Sequence, residues 1–190
     1  ELGIYEMNAN GLRPVDNPSE LLLTQHDEPL SGVAICAALE GVRPFLIETQ
    51  ALVSSAVYAT PQRSSTGFDT RRMNMLLAVL EKRAGFKLVQ KDVFLNIAGG
   101  IRLADPASDL AVITAVLSSS LDIALPEGVC LTGEVGLSGE VRSVSRIEQR
   151  MLEAERIGFR AMILPESNLA GLDTSSRKIR LVGVKTVEEA

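Results

Sequence analysis

The stretch Gly133-Glu-Val-Gly-Leu-Ser-Gly-Glu-Val-Arg142, followed two residues later by Ser145-Arg-Ile-Glu148, decides how this chain is read. Glycines at 136 and 139, set between valine-bearing runs, predict a tight fold-back. Ser145 and Glu148 stand at the spacing of an S-x-x-E capping box. In that motif the serine hydroxyl accepts the N–H of Glu148 and the carboxylate accepts that of Ser145. Ile147, Met151, Ala154 and Ile157 then recur at helical spacing, so a helix is expected to start at Ser145 with these residues inward.

Outward from this unit, residues 129–131, 161–165 and 179–184 are short apolar runs that read as strands, and residues 185–190 read as a helix truncated in its first turn. Upstream, Asp105-Pro106 places a capping residue before a proline at the first helical position and opens a largely apolar helix to about Ser119. A helix apolar on most faces belongs at the centre of its domain. Asp69 caps another helix, from Thr70 to about Ala84, in which Met73, Leu76, Leu77 and Leu80 repeat before the stop at Gly85. Residues 32–40 and 43–54 predict a long hairpin about Gly41, and residues 93–98 a buried strand. Residues 59–68, with Pro61, Ser64, Ser65 and Gly67, read as a loop.

The first 29 residues behave differently. Two short strand-like runs flank Asn8-Ala-Asn-Gly11, Asn17-Pro18-Ser19 marks a stop, and a polar connector runs through Gln25-His-Asp-Glu-Pro29. A lone hairpin cannot bury itself. Residues 1–29 therefore read as the tail of a preceding domain plus a connector, and residues 30–190 as the domain proper. The fold class is α/β: a mixed sheet with packed helices, α+β in character, with too few strand–helix alternations for a doubly wound sheet.

Composition narrows the function. No apolar run in the 190 residues approaches the roughly 20 needed to cross a bilayer, and no secretory signal opens the chain, so a cytoplasmic protein without a membrane partner is expected. Cys36 and Cys130 sit in apolar runs far apart and read as reduced core thiols. His26 is the single histidine, which argues against a Ser-His-Asp triad, a Cys-His pair or a histidine-based zinc site. Asp105 and Asp109 stand at a helix start, where a carboxylate is favoured without any metal. Glu134 and Glu140 have no third ligand nearby in sequence. With no G-x-x-x-x-G-K-[ST] loop either, neither a metal nor a cofactor is expected in this chain.

Net charge is −5, yet residues 63–91 carry seven basic residues against two acidic ones, a local balance of +5 that leaves −10 to the rest. Arg63, Arg71, Arg72, Lys82, Arg83 and Lys87 are candidates for a cationic strip that tracks phosphates. Ordinary solvated helix residues, or half of an intersubunit salt-bridge set, fit the same pattern. Phe68 and Phe86 merely bound the helix, so base stacking is not indicated. A second row, Arg142, Arg146 and Arg150, is interspersed with Glu148, Glu153 and Glu155 and reads as a solvated or subunit-facing surface.

The motif quoted first resembles the segment of Lon-type proteases that ends in the lysine of a serine-lysine pair. ETQALVS (48–54), LLAVLEKR (76–83), NIAGGIR (96–102), DPASDLAV (105–112) and GEVGLSGEVRSVSRIEQR (133–150) together resemble the C-terminal half of the RadA, or Sms, family of bacterial DNA-repair ATPases. The resemblance implies a Lon protease-like domain with the fold of the second domain of ribosomal protein S5. GIYEM (3–7) resembles the last strand of a RecA-like ATPase core. It further implies ring assembly of six copies and work on single-stranded or branched DNA in repair and recombination. ATP, magnesium and a zinc finger would belong to an upstream part.

By the same resemblance the protease nucleophile falls on Ala107 and its lysine on Glu148. Ser108 is one residue, about 100° of helix rotation, away from the nucleophile position. No lysine occurs between Lys91 and Lys178, and arginine does not release its proton to serve as a base. The expectation is a non-catalytic scaffold domain. An active Ser-Lys peptidase and a stand-alone nucleic-acid-binding module are the alternatives.

Overall fold

A computed structural model describes residues 5–9, 11–15, 17, 19, 22–24, 28–57, 60–173 and 177–190. Its centre is a seven-stranded mixed sheet. Strands β3 (Val33–Glu40) and β4 (Arg43–Ser55) form the predicted hairpin, pairing from Glu40↔Arg43 to Val33↔Gln50, with Gly41 at φ 61° in the turn. On the outer side of β4 lie β6 (Lys91–Ile97), antiparallel, and then β5 (Arg63–Thr66), parallel to β6. On the other side β3 is followed by the parallel strands β7 (Val129–Leu131), β10 (Ala161–Pro165) and β11 (Arg180–Val184).

Both faces of the central strands are covered, which is why β3 is an apolar run and not an alternating one. Cys36 points to one face, with Phe45, Ile47, Met73, Leu77 and Ile113. Ala37 points to the other, with Leu46, Cys130, Met151 and Met162. Helices α1 (Thr70–Arg83) and α2 (Asp109–Leu121) cover the first face and α3 (Ile147–Ile157) the second. Both cysteines are free and buried; burial pushes the Cys130 thiol up to about 12 and raises that of Cys36 as well.

The helix signals hold for α1 and α2. Asp69 accepts the Arg72 N–H at 2.8 Å, and Gly85 follows the end of α1 at φ 74°. Nine of the thirteen residues of α2 are buried, so it is the central helix that its composition predicts. Three of its hydroxyls are engaged: Thr114 bonds back to the Leu110 carbonyl, while Ser118 and Ser119 accept the N–H groups of Gly32 and Val53. The proline is followed first by a 3-10 turn, Pro106–Ser108, with Asp105 accepting the Ala107 N–H.

Two expectations need correcting. Residues 59–68 do not form only a loop, because Arg63-Ser-Ser-Thr66 is the edge strand β5, with Ser64 and Thr66 facing solvent. A strand without one aliphatic residue gives no hydrophobic period to read. Residues 185–190 form a turn, not a helix: Glu189 N–H bonds the Thr186 carbonyl, the Glu189 carboxylate takes the Lys185 N–H, and Thr186 bridges to Glu140.

The hairpin near the N-terminus is present as β1 (Tyr5–Asn8) and β2 (Gly11–Pro14), every residue of both strands exposed. Two residues after it belong to the large domain. Ser19 and Leu22 are buried, the Ser19 hydroxyl donates to Glu153 at 2.7 Å, and Leu46 N–H donates to Ser19 at 3.0 Å. Pairing of β4 with β6 begins only at Thr49, so the Ser19 hydroxyl serves the β4 edge before that point, and the Thr24 N–H donates to the Glu48 carboxylate. His26, with Gln25 and Asp27, lies outside the described residues.

Candidate functional site

The two positions on which the resemblance puts the protease pair stand at the starts of α2 and α3. Ala107 is 2% exposed, its methyl group inside the 3-10 turn. Ser108, fully buried, donates its hydroxyl to the Asp105 carbonyl at 2.6 Å, so the displaced serine closes its own turn. Glu148 is exposed on the first turn of α3. Neither position carries a nucleophile or a base suited to the serine-lysine reaction.

The capping box does not form. Arg146 occupies the N-cap position in a left-handed conformation (φ 55°, ψ 38°) without a side-chain cap, and α3 starts at Ile147. What holds this helix start is Arg150. Its Nε donates to the Ser145 carbonyl at 3.1 Å, and its Nη1 donates to the Ala37 carbonyl at 2.8 Å and to Asp105 Oδ2 at 2.6 Å. Only 1% of the Arg150 side chain is exposed, against the solvated surface expected from its row. Asp105 joins three elements at once: Oδ1 caps the turn before α2, and Oδ2 takes both Arg150 and the Leu39 N–H of β3. The guanidinium is thus a rigid staple between α3, β3 and the head of α2.

A second pair lies one turn along. Asp109, fully buried, accepts Arg72 Nε and Nη2 in a bidentate pair, and also the Val135 N–H at 3.0 Å. Burial pushes the Asp109 carboxyl above its usual range, opposed but not cancelled by the hydrogen bonds from Arg72 and Val135. Arg72, proposed for the cationic strip, is therefore committed inside the domain, tying α1 to α2 and to strand β8 (Glu134–Val135). Strand β8 turns back into β9 (Val141–Arg142) through the quoted glycines. The Glu140 carboxylate fills the space where a Gly136 Cβ would stand, 2.0 Å from Oε1, and Gly139 lies at φ 82° against Arg83. The left-handed conformation favours glycine at 139, whereas a side chain at 136 would displace the Glu140 carboxylate.

The remaining basic candidates divide. Arg63 is half-buried and donates to the Leu88 carbonyl at 3.3 Å. Arg71, Lys82, Arg83 and Lys87 are exposed, and none makes a salt bridge among the described residues. Among those residues no three His, Cys, Asp or Glu side chains gather as a metal site, and no helix is long and apolar enough to cross a membrane.

Sequence reasoning missed Arg150, and also a cluster on the outer side of α3 in which Arg156 donates to Glu153 and to Asn17 while Ser19 donates to the same carboxylate. A weak signal existed for Arg150: it sits next to Met151 on the inward face of a helix otherwise well patterned. No local signal pointed to Ser19.

Comparison with known proteins identifies the family. The model of the Lon protease (S16) C-terminal proteolytic domain matches residues 79–189. The chain is 47% identical over 190 residues to the DNA repair protein RadA of Bacillus subtilis, covering 100% of this chain and 41% of that protein. The DNA repair protein RadA of Chlamydia pneumoniae is 47% identical over 191 residues, with 100% and 42% covered. That of Streptococcus pneumoniae is 43% identical over 189 residues, with 100% and 45% covered. The chain spans about two-fifths of the length of these relatives.

Proposed function

The chain belongs to the Lon protease C-terminal domain family and matches the C-terminal part of RadA proteins, and from that premise we propose that it is a non-catalytic scaffold. In this reading it holds RecA-like ATPase cores in register in a ring of six while the assembly processes recombination intermediates. The observation that carries the proposal is the state of the two protease positions. Ala107 offers a buried methyl group, Glu148 an exposed carboxylate, and the frame between them is fixed by the Asp105–Arg150 staple. A domain that fixes subunit spacing influences hydrolysis at sites between subunits without touching nucleotide; this step rests on family analogy. Incubation of the chain with fluorogenic peptides and an unfolded protein substrate, beside the double variant Ala107→Ser/Glu148→Lys, tests the non-catalytic part. The unmodified chain is expected to release no product, and turnover that disappears with Ser108→Ala would refute it.

DNA contact is the second reading, supported by the exposed cations Arg71, Lys82, Arg83 and Lys87, which make no salt bridge among the described residues. Binding to single-stranded DNA should then weaken with rising salt, the slope falling by about 0.7 for each cation reversed. A salt series that gives the same slope for Arg71→Glu as for the parent chain removes Arg71 from the contact.

A further inference from the structure

Strands β3 and β7 pair only at Cys36 and Leu131. Before that point they diverge, and the turn leading into β7 stands off from the first residues of β3, leaving a groove of about 450 Å³. Its walls are apolar, with Leu23, Leu30, Ile35, Leu125, Val129 and Phe159 among them, and Leu30 is half-exposed at the edge. Three carboxylates line it as well: Glu48 in the floor, holding the Thr24 N–H and the Gln50 side chain, and Glu28 and Glu127 at the exposed rim. No lysine or arginine is among the described lining residues. The exposed Arg160 stands beside it and donates to the Glu127 carbonyl at 2.8 Å, so one neighbouring guanidinium faces three lining carboxylates. An apolar slot rimmed by carboxylates selects an occupant that is both apolar and basic.

The chain itself carries such an element. From the last turn of α1 onward, Lys82, Arg83 and Lys87 are exposed and without salt-bridge partners among the described residues, and Val89 beside them is 66% exposed. This element shares no residue with the groove, so the two surfaces can meet between copies as a head-to-tail contact. A contact of that kind closes into a ring when its rotation allows.

We propose that the groove between β3 and β7 receives the basic segment of residues 82–89 of a second copy of this chain. The proposal rests on the scaffold reading and names the surfaces through which the scaffold assembles. It leaves Arg71, at the opposite end of α1, to nucleic acid.

Reciprocal charge reversal tests it on the whole 190-residue chain by sedimentation velocity over a concentration series. One variant is Glu28→Lys/Glu127→Lys, the other Lys82→Glu/Lys87→Glu; all four side chains are exposed, and thermal melts should match the parent chain. Each variant alone is expected to self-associate at least about tenfold more weakly than the parent. An equimolar mixture should recover the parent's mass, because each reversed surface then meets its reversed partner. Association unchanged in either variant overturns the groove contact and leaves the scaffold reading standing, whereas a parent chain that stays monomeric at every concentration overturns both. If Lys82→Glu/Lys87→Glu loses single-stranded DNA but keeps its oligomer, those lysines belong to the nucleic-acid contact and the proposal fails.

Discussion

Helices α3 and α1 each carry a row of basic residues, and the two rows meet different fates. Arg150 of α3 is 1% exposed and donates to acceptors from three separate segments, Ser145, Ala37 and Asp105. Arg71, Lys82, Arg83 and Lys87, from α1 and the residues just after it, are exposed and make no salt bridge among the described residues. Arg72 stands on α1 yet behaves like Arg150, because Asp109 was brought opposite it by the crossing of α1 over α2. The fate of a cation is decided by whether the topology places acceptors against it, and not by the charge pattern of its own helix. Paired arginines lock the fold, and the other cations stay on the surface, where the proposed contacts would draw on them.

That contrast can be broken experimentally, and the largest effect belongs to Arg150. Arg150→Ala leaves Asp105 and two carbonyls without their donor and should cost about 3–5 kcal/mol in urea unfolding. Restoring bulk and removing the orphaned charge together, with Arg150→Met/Asp105→Asn, should recover part of that loss. A cost below 1 kcal/mol for Arg150→Ala would put Arg150 in the class of the surface cations. Arg72→Ala should cost less, about 2 kcal/mol, since that guanidinium is 31% exposed while the Asp109 it leaves is fully buried.

A smaller effect appears on the acid side. Burial pushes the Glu153 carboxyl up, but hydrogen bonds from Arg156 and Ser19 outweigh it and hold the group below its usual value. A carboxyl lowered in the folded state stabilises above its unfolded pKa, and that stabilisation is lost as pH falls through the folded one. The stability gap between the parent chain and Glu153→Gln should therefore narrow as pH drops below about 4, and a gap independent of pH would contradict the assignment. Smallest of all, Arg71→Glu should change stability by less than about 0.5 kcal/mol while weakening DNA binding.

How much of this was legible in the sequence follows the same division. Local signals were readable: Asp69 and Asp105 as caps, Pro106 at the helix start, the apolar composition of α2 and the hairpin about Gly41 each depend on neighbours a few residues away. The Lon-like pattern was readable too, because a motif of that length identifies its family. The capping box at Ser145 was a local signal that lost to a distant one. Once Asp105 and Ala37 hold Arg150 in the core, α3 begins at Ile147 through a left-handed Arg146 and Ser145 is left out of the helix. Strand β5 went unseen because a Ser/Thr edge strand shows no apolar period. The seating of Ser19 depends on a carboxylate 134 residues away, which no local pattern encodes.

The scaffold reading stands most directly on one measurement, the light-scattering mass of the unmodified chain from micromolar to near-millimolar concentration, with and without single-stranded DNA. The account predicts a mass that rises above the monomer with concentration and falls back in high salt, as a charge-complementary head-to-tail contact requires. A strictly monomeric chain across the whole range, with or without DNA, would contradict it.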